Sequence, residues 1–504
     1  MKCSRITRMT VIALMVVTVA SIGYAAGQRE ATAPEDLTLR VLFRAFTAYE
    51  PGSEVQRHME DTLGFKIDFD VRPALEYVQA TQTILASGDY PDIMEAWFAD
   101  ATREIRELAE DRVIIALDEL LELYGPNVLE ARPYEGNWYR PLPDGLTYSI
   151  PARFNTYGAE YLWFVRQDYL DNLGLEVPTT LEEFRSVARA LTFDDPNLSG
   201  RDDTYGIDAG WPAHARSSMI QNVLAAHGVM MDHWQFVDGE LTHWMVNPGT
   251  LDALKFMREL YLDGVVDPEF ALQQRPAWLD NMRAGRYGMQ WWWSTHIDAN
   301  ASEWWGEFVR NQPEARISFI PPFPGPDGEL RMPGGGVEVR NPSLLIFDST
   351  PEPNRVAAMQ FVNYLGSEEG AITTAYGIEG QHHEWRDGEL VSFVTGSEAQ
   401  ARAGTYLFAW IFRRTNFIAT NALGHEWIEM YAPHVVRPII EEVVPAQTEY
   451  GAVLNELAQS RFMRIQTERN LDVDAEWSDY VRVWLRSGGQ EWTDQINAAW
   501  RASQ

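Results

Sequence analysis

The chain of 504 residues contains a single cysteine, Cys3. It stands ahead of an apolar run, so a leader cleaved behind that run would remove the thiol. Disulfides, thiolate catalysis and Cys-ligated zinc would then be excluded together. Lysine is nearly absent, and arginine carries the positive charge. Lys and Arg total 41 against 73 Asp and Glu, a formal net charge of −32. Such a field repels nucleic acid and anionic membrane surfaces and favours solubility. The chain has no H-E-x-x-H zinc motif, no P-loop, no G-x-S-x-G elbow and no G-x-G-x-x-G opening a helix. His227 and His233 flank a Met-Met pair and His382 adjoins His383, neither at a clean metal spacing. No internal repeat or low-complexity tract is present.

What is there begins with a leader. Lys2, Arg5 and Arg8 form a basic head, Met9 to Ile22 is almost unbroken apolar sequence, and Gly23-Tyr24-Ala25 supplies small residues for cleavage after Ala25. The run is shorter than the ~20 residues of a membrane span. Loss of the three basic residues takes the charge from −32 to −35. With Cys3 gone there is no lipid-bearing cysteine, so the expectation is a soluble periplasmic or secreted protein. The remaining ~480 residues exceed one compact core, and two lobes are expected. A hydrophobic content of 45% with 12% aromatics describes an ordered globular chain.

The order of elements predicts an α/β protein. Leu37 to Phe43, Lys66 to Val71 and Asp92 to Glu95 read as strands; Val55 to Leu63 and Leu75 to Ser87 read as helices between them. Strands alternating with helices of this length argue for parallel α/β units, whose ligands gather at the carboxyl ends of the strands. That singles out Arg44 and Trp97. A second α/β segment starts with a strand at Tyr161 to Arg166. In it Thr180-Leu181-Glu182-Glu183 spells a capping box for a helix running to about Leu191. A further helix spans Thr250 to Leu262, with Leu251, Leu254, Met257 and Leu260 on one face. Ser318 to Gly336 turns Pro/Gly-rich and reads as a connection between lobes. Leu344 to Phe347 is a strand again, Asn354 to Tyr364 a helix, and Ala409 to Trp500 mostly helical.

Asp195, Asn197, Ser199 and Asp203 place oxygen side chains at positions one, three, five and nine of a loop, with the Arg201 carbonyl available at seven and Gly200 at six. That is the rhythm by which an EF-hand loop converges oxygens on a hard cation. Position twelve, however, is Gly206, which gives no carboxylate. The site is either a structural calcium site or a plain Asp/Asn/Gly turn.

Several segments together resemble a known family. They are Tyr161 to Phe184 (YLWFVRQDYLDNLGLEVPTTLEEF), Gly88 to Ile93 (GDYPDI), Asp194 to Gly206, Met282 to Met289 (MRAGRYGM), Tyr376 to Gly380 (YGIEG), and the tail around Trp477, Tyr480, Gly488 and Gly489. In this order they resemble the extracellular solute-binding proteins of family 1, the substrate-binding components of ABC sugar importers. The likeness is to the subgroup with alginate-oligosaccharide-binding and LipO-like members. The resemblance implies a two-lobed, periplasmic-binding-protein-like fold of type II, with the ligand cleft between lobes and a helical C-terminal region. Residues 26–155 with 337–378 would form lobe 1, and 156–336 with 379–504 lobe 2. Hinges would lie near Ile150 to Gly158 and Pro321 to Gly336, and closure on ligand would be a hinge motion. The chain would be monomeric, would catalyse nothing and would deliver its solute to membrane permease subunits. The resemblance also implies calcium in a loop of this kind, with acidic residues at positions nine and ten; here position ten is Thr204.

Sugar rings present apolar C–H faces that aromatic side chains cover while polar neighbours bind the hydroxyls. Candidate ligand contacts are Trp97, Tyr161, Trp211, Trp292, Trp293 and Trp410, with Arg44, Glu379 and His382 as polar partners. Three adjacent tryptophans, Trp291 to Trp293, at a strand end cannot all face one core, since side chains alternate. Trp291 is expected to be buried, because the chain turns there into Ser294-Thr295-His296. The ligand is expected to be a carbohydrate, an oligosaccharide by preference. A secreted polysaccharide-acting hydrolase and a peptide-binding transport receptor remain alternatives. Neutral sugars, uronate oligomers and peptides are all open as ligands.

Overall fold

The computed structural model describes residues 37–45, 49–73, 76–97, 101–130, 140–151, 161–208, 220–270, 272–293, 308, 311–333, 343–394, 397–405, 426, 429–440 and 443–504. Along the chain, β1 (Thr38–Ala45), α1 (Glu54–Leu63), β2 (Lys66–Pro73), α2 (Tyr77–Ser87), β3 (Ile93–Ala96), α3 (Ala101–Glu110), α4 (Asp118–Tyr124), α5 (Pro126–Glu130) and β4 (Ile150–Pro151) come first. Then follow β5 (Tyr161–Arg166), α6 (Gln167–Leu173), α7 (Leu181–Phe193), β6 (Tyr205–Ile207) and α8 (Ile220–Ala226). The hairpin β7 (Trp234–Val237) and β8 (Glu240–His243) leads to α9 (Pro248–Leu262), α10 (Arg275–Arg283), β9 (Tyr287–Trp293), β10 (Ile317–Phe319) and β11 (Met332–Pro333). The chain continues as β12 (Ser343–Ile346), α11 (Glu352–Leu365), α12 (Glu368–Tyr376), β13 (His383–Arg386), β14 (Glu389–Ser392) and α13 (Ser397–Ala403). Last come β15 (Val435–Val436), α14 (Pro445–Thr467), α15 (Val473–Trp484) and α16 (Gln490–Ala502).

Two sheets organise these elements. The first runs β2-β1-β3-β12-β4, with β1 parallel to β2 and β3 and β12 antiparallel to β3 and β4. It is covered on both faces, and its central strands β3 and β12 are buried at every position, while β2 at the edge alternates. Leu39, Val41, Phe43, Ile93, Leu344 and Ile346 face one core with Val55, Met59 and Phe361. Leu42, Met94 and Leu345, one residue out of phase, face another with Tyr77 and Ile105. The second sheet runs β10-β5-β9-β6, with β5 antiparallel to β9 and β10 and β6 parallel to β9.

The C-terminal helices belong to the second core. Leu454, Ala458, Phe462 and Ile465 of α14 join Leu254 and Met257 of α9 in one cluster. Arg258, nearly buried, donates from its guanidinium to the carbonyls of Ile465 (2.9 Å), Glu468 (2.6 Å) and Arg469 (2.7 Å). A cation is thereby fixed where the end of α14 exposes unpaired carbonyls. The Gly488-Gly489 pair makes the α15–α16 turn. Gly488 has φ 109°, and a Cβ there would lie 2.1 Å from the Tyr450 ring, so no other residue fits.

One local expectation holds and another needs correction. The Thr180 hydroxyl accepts the Glu183 N–H (3.2 Å), and the Glu183 carboxylate satisfies a backbone N–H in return, that of Thr179 at 2.9 Å, with the Thr179 hydroxyl at 2.8 Å. The Pro/Gly-rich run, by contrast, is not a bare connection. Ile317–Phe319 is an edge strand on β5, Phe323 is buried in the second core, and Gly325 N–H to Glu329 closes a hairpin turn (2.9 Å). Pro321, Pro322, Pro324 and Pro326 follow that strand and flank the turn, where their missing N–H is not needed.

Candidate functional site

β1 and β3 are parallel neighbours, with Val41 opposite Ile93 and Leu42 opposite Met94, so their carboxyl ends share one edge of the first sheet. Arg44 and Glu95 meet there. Arg44 Nε donates to Glu95 Oε1 at 2.9 Å, and its backbone N–H points to Oε2 at 3.2 Å. The two side chains are 2% and 1% exposed. Above them lies Trp97, half-buried, with the Arg44 guanidinium carbon 3.8 Å from its ring centroid. Tyr77 at the start of α2 underpins the group. Its hydroxyl is 2.7 Å from the Glu95 carbonyl and 3.1 Å from that of Leu42, and burial raises its phenol far above the ordinary range. A carboxylate, a guanidinium and an indole thus meet at a strand end, and the indole is the most exposed of the three.

The corresponding edge of the second sheet carries β9, whose Trp291, Trp292 and Trp293 pair with Trp163, Leu162 and Tyr161 of β5. Trp291 is fully buried, its ring 6.1 Å from that of Trp278. Trp278 donates its indole N–H to Asp208 (2.7 Å), the residue that follows β6. Nearby, the Tyr287 hydroxyl lies 3.1 Å from the Asp267 carboxylate and accepts from Asn281 Nδ2 at 3.2 Å. Burial first, then the Asp208 and Asp267 charges, push this phenol up, so it remains a donor at any ordinary pH. In chain order, β4 of the first sheet is followed directly by β5 of the second.

Of the ligand candidates, Arg44 and Trp97 are brought together at this edge. Glu379 is exposed, and His382 is buried in a different junction. The His382 Nδ1 accepts the Ile378 N–H (3.0 Å) and its Nε2 lies 3.0 Å from Glu54, which also accepts from Gln381. These contacts fasten the β13–β14 hairpin to the start of α1. Tyr161, Trp292 and Trp293 hold strand positions, but their side chains lie outside the described residues; Trp211 and Trp410 lie outside them altogether. Glu95, Tyr77, Asp208 and Trp278 were not singled out from sequence. Glu95 could have been, as an acidic residue ending an otherwise apolar strand next to Trp97.

The loop Asp195 to Asp203 is tightly organised. Asp195 accepts the N–H groups of Ser199 and Gly200, both at 2.9 Å. Asn197 Nδ2 donates to Asp203 at 2.8 Å, and the Ser199 hydroxyl lies 3.1 Å from Asp203 and 3.5 Å from the Arg201 carbonyl. The Asn197 bond above all, then Ser199 and Arg201, hold the Asp203 carboxyl below its usual range. Thr204 at position ten is turned away, donating to the Leu191 carbonyl at the end of α7 (2.9 Å). Position twelve is glycine for a steric reason: a Cβ on Gly206 would lie 2.0 Å from the Ala188 carbonyl of α7. Among the described residues, no group of three or more His, Cys, Asp or Glu is gathered for a metal.

Comparison with known proteins fits these observations to a class. The sequence profile of the bacterial extracellular solute-binding proteins matches residues 51–372, and the chain belongs to that family. It is 23% identical over 355 residues to lipoprotein LipO of Bacillus subtilis, covering 68% of each chain. Its fold is that of the alginate-binding protein AlgQ2, solved without calcium (TM-score 0.71, 18% identity, 94% of this chain and all of that one). It is also that of FusA, an ABC-transporter substrate-binding protein of Streptococcus pneumoniae solved with kestose (TM-score 0.67, 18% identity, 93% and 100%); a further FusA structure is described as an EF-hand mutant. The protein is therefore a two-lobed α/β solute-binding protein with a helical C-terminal region, and its family binds solutes rather than converting them. Among the described residues, no helix is long and apolar enough to cross a membrane.

Proposed function

We propose that the protein is the receptor of an ABC importer for a carbohydrate oligomer, held between the facing edges of the two sheets and passed to membrane permease subunits. The observation that carries this is Trp97: a half-buried indole at the carboxyl end of β3, braced from beneath by a buried ion pair. An apolar ring face fixed in place at a strand end suits the C–H face of a sugar. The relatives named for alginate and crystallised with kestose support the ligand class. We place β1 to β4 and β12 to α13 with lobe 1, because the β13–β14 hairpin leans on α1, and β5 to β11 and β15 to α16 with lobe 2. The exported chain begins at Ala26 and carries no lipid; N-terminal sequencing that finds Met1 retained would refute this.

The Asp195 to Asp203 loop fits a structural calcium ion. Its donors are all oxygens: two carboxylates, the Asn197 amide, the Ser199 hydroxyl and the Arg201 carbonyl, the hard-ligand set calcium prefers. The bound ion would neutralise the two carboxylates and tie the end of α7 to the start of β6. A chelator should lower the melting temperature, since an ion held only by the folded state stabilises it by mass action. Asp195→Ala should abolish that sensitivity and leave sugar affinity within a factor of about two, a change near 0.4 kcal/mol. Gly206→Glu, which supplies the missing twelfth-position carboxylate on paper, should cost about 3 kcal/mol through overpacking against Ala188. An unchanged melting curve with chelator would reduce the loop to a turn, and a stabilised Gly206→Glu would contradict the clash.

A further inference from the structure

We infer that the β13–β14 hairpin is an acid-sensitive latch on the first lobe, closed while His383 is neutral and released when that ring takes up a proton. The inference concerns the lobe itself and holds whatever the ligand. His382 and His383 stand where the turn after α12 enters β13. That turn is tight. The His382 N–H donates to the Ile378 carbonyl and the Gly380 N–H to the His383 carbonyl, both at 2.8 Å. A Cβ on Gly377, which has φ 84°, would lie 2.6 Å from the His382 side chain, so the turn closes directly onto that ring. The Phe393 N–H then fastens the far strand to the His382 carbonyl at 2.7 Å.

Each ring is held as one neutral tautomer. His382 accepts the Ile378 N–H on Nδ1 (3.0 Å), so its proton is on Nε2, 3.0 Å from Glu54. His383 faces the Tyr376 carbonyl with Nδ1 (3.3 Å), which makes Nδ1 the donor and leaves Nε2 without a proton. That Nε2 is buried and has no hydrogen-bond partner, in a residue 1% exposed. A second proton there would be a charged N–H with no acceptor, and burying such a group is costly. Burial accordingly holds His383 below the ordinary histidine value; His382 adds to the effect, while the Tyr376 carbonyl and Glu379 oppose it. The other neighbours do not rescue the cation. Ser392, opposite His383 on β14, is neutral, and Glu54 on α1 is engaged by His382 and Gln381. The His58–Glu369 contact (4.0 Å) ties α1 to α12, outside the hairpin.

Above pH 6.5, the ordinary histidine value, docked and released hairpins both carry a neutral His383, and the latch holds fully. Below it the released hairpin binds a proton that the docked one resists, so docking weakens as the pH falls. The latch bears on Glu54 at the start of α1, the helix that follows β1, so its release loosens the sheet edge that carries Arg44.

The test is hydrogen exchange read by mass spectrometry over residues 381–394, each rate corrected for the pH dependence of exchange itself. Protection of the hairpin should fall about fivefold or more between about pH 7.5 and about pH 5, while that of α14 to α16 stays within about twofold. His383→Gln, which keeps a donor for the Tyr376 carbonyl and takes up no proton, should flatten the decline; His383→Asn stands in if that variant does not fold. Hairpin protection that stays level with pH in the unmodified protein would overturn the inference. So would a decline that persists in the variant, or one shared equally by α14 to α16, which is acid unfolding of the whole chain.

Discussion

Trp291→Ala is expected to destabilise the protein by about 3–5 kcal/mol while sparing ligand affinity in the molecules that remain folded. Trp291 is fully buried at the centre of the second core, its ring against Trp278, which is itself held by Asp208. Truncation removes the transfer free energy of an indole and leaves a cavity bounded by a sheet and by helices that cannot close over it. The loss is a large share of the 5–15 kcal/mol that holds a typical domain. Because Trp278 loses a packing partner, the Trp278–Asp208 bond should loosen as well. Denaturant midpoints with and without the substitution check the cost. An unchanged midpoint with affinity lowered tenfold would mean that Trp291 meets ligand.

Trp97→Ala should do the reverse. It should weaken oligosaccharide binding by about 2–4 kcal/mol, thirty- to several-hundred-fold, the loss associated with an aromatic hot spot. The melting temperature should move far less than for Trp291→Ala, because Trp97 is only half-buried and ends a strand instead of filling its middle. Phenylalanine at the same position should recover part of the affinity, since a smaller ring still covers a sugar face and still accepts the Arg44 guanidinium. Titration calorimetry on both variants checks this. A Trp97→Ala protein that binds as tightly as the parent would remove Trp97 from the site.

The fold was largely legible because periodicity is local. The runs at Leu37 to Phe43 and Tyr161 to Arg166 became β1 and β5, and the apolar face from Leu251 to Leu260 became the side of α9 that meets α14. The site was legible only in part, because its chemistry is made by residues far apart in the chain. That Arg44 follows a strand can be read from its neighbours. That Glu95, fifty-one residues on, takes up its charge depends on the β1–β3 register, which no local pattern encodes. The same holds for Trp278 and Asp208, seventy residues apart. Where the local reading stopped short, a tertiary contact had intervened. Gly206 looked like a failed calcium ligand, but the approach of Ala188 requires glycine there. The Pro/Gly run looked like a linker, but Phe319 and Phe323 anchor it in the second core. His382 stood among the ligand candidates, and its partner proved to be Glu54.

Titration calorimetry of the purified protein with a panel of oligosaccharides, followed by chromatography of the ligand recovered afterwards, tests the receptor assignment most directly. The expected result is saturable one-to-one binding of at least one oligosaccharide, with the ligand recovered unchanged and a negative heat-capacity change as the cleft buries apolar surface. Shortened oligosaccharides in the recovered pool, or no binding by any member of the panel, would contradict it.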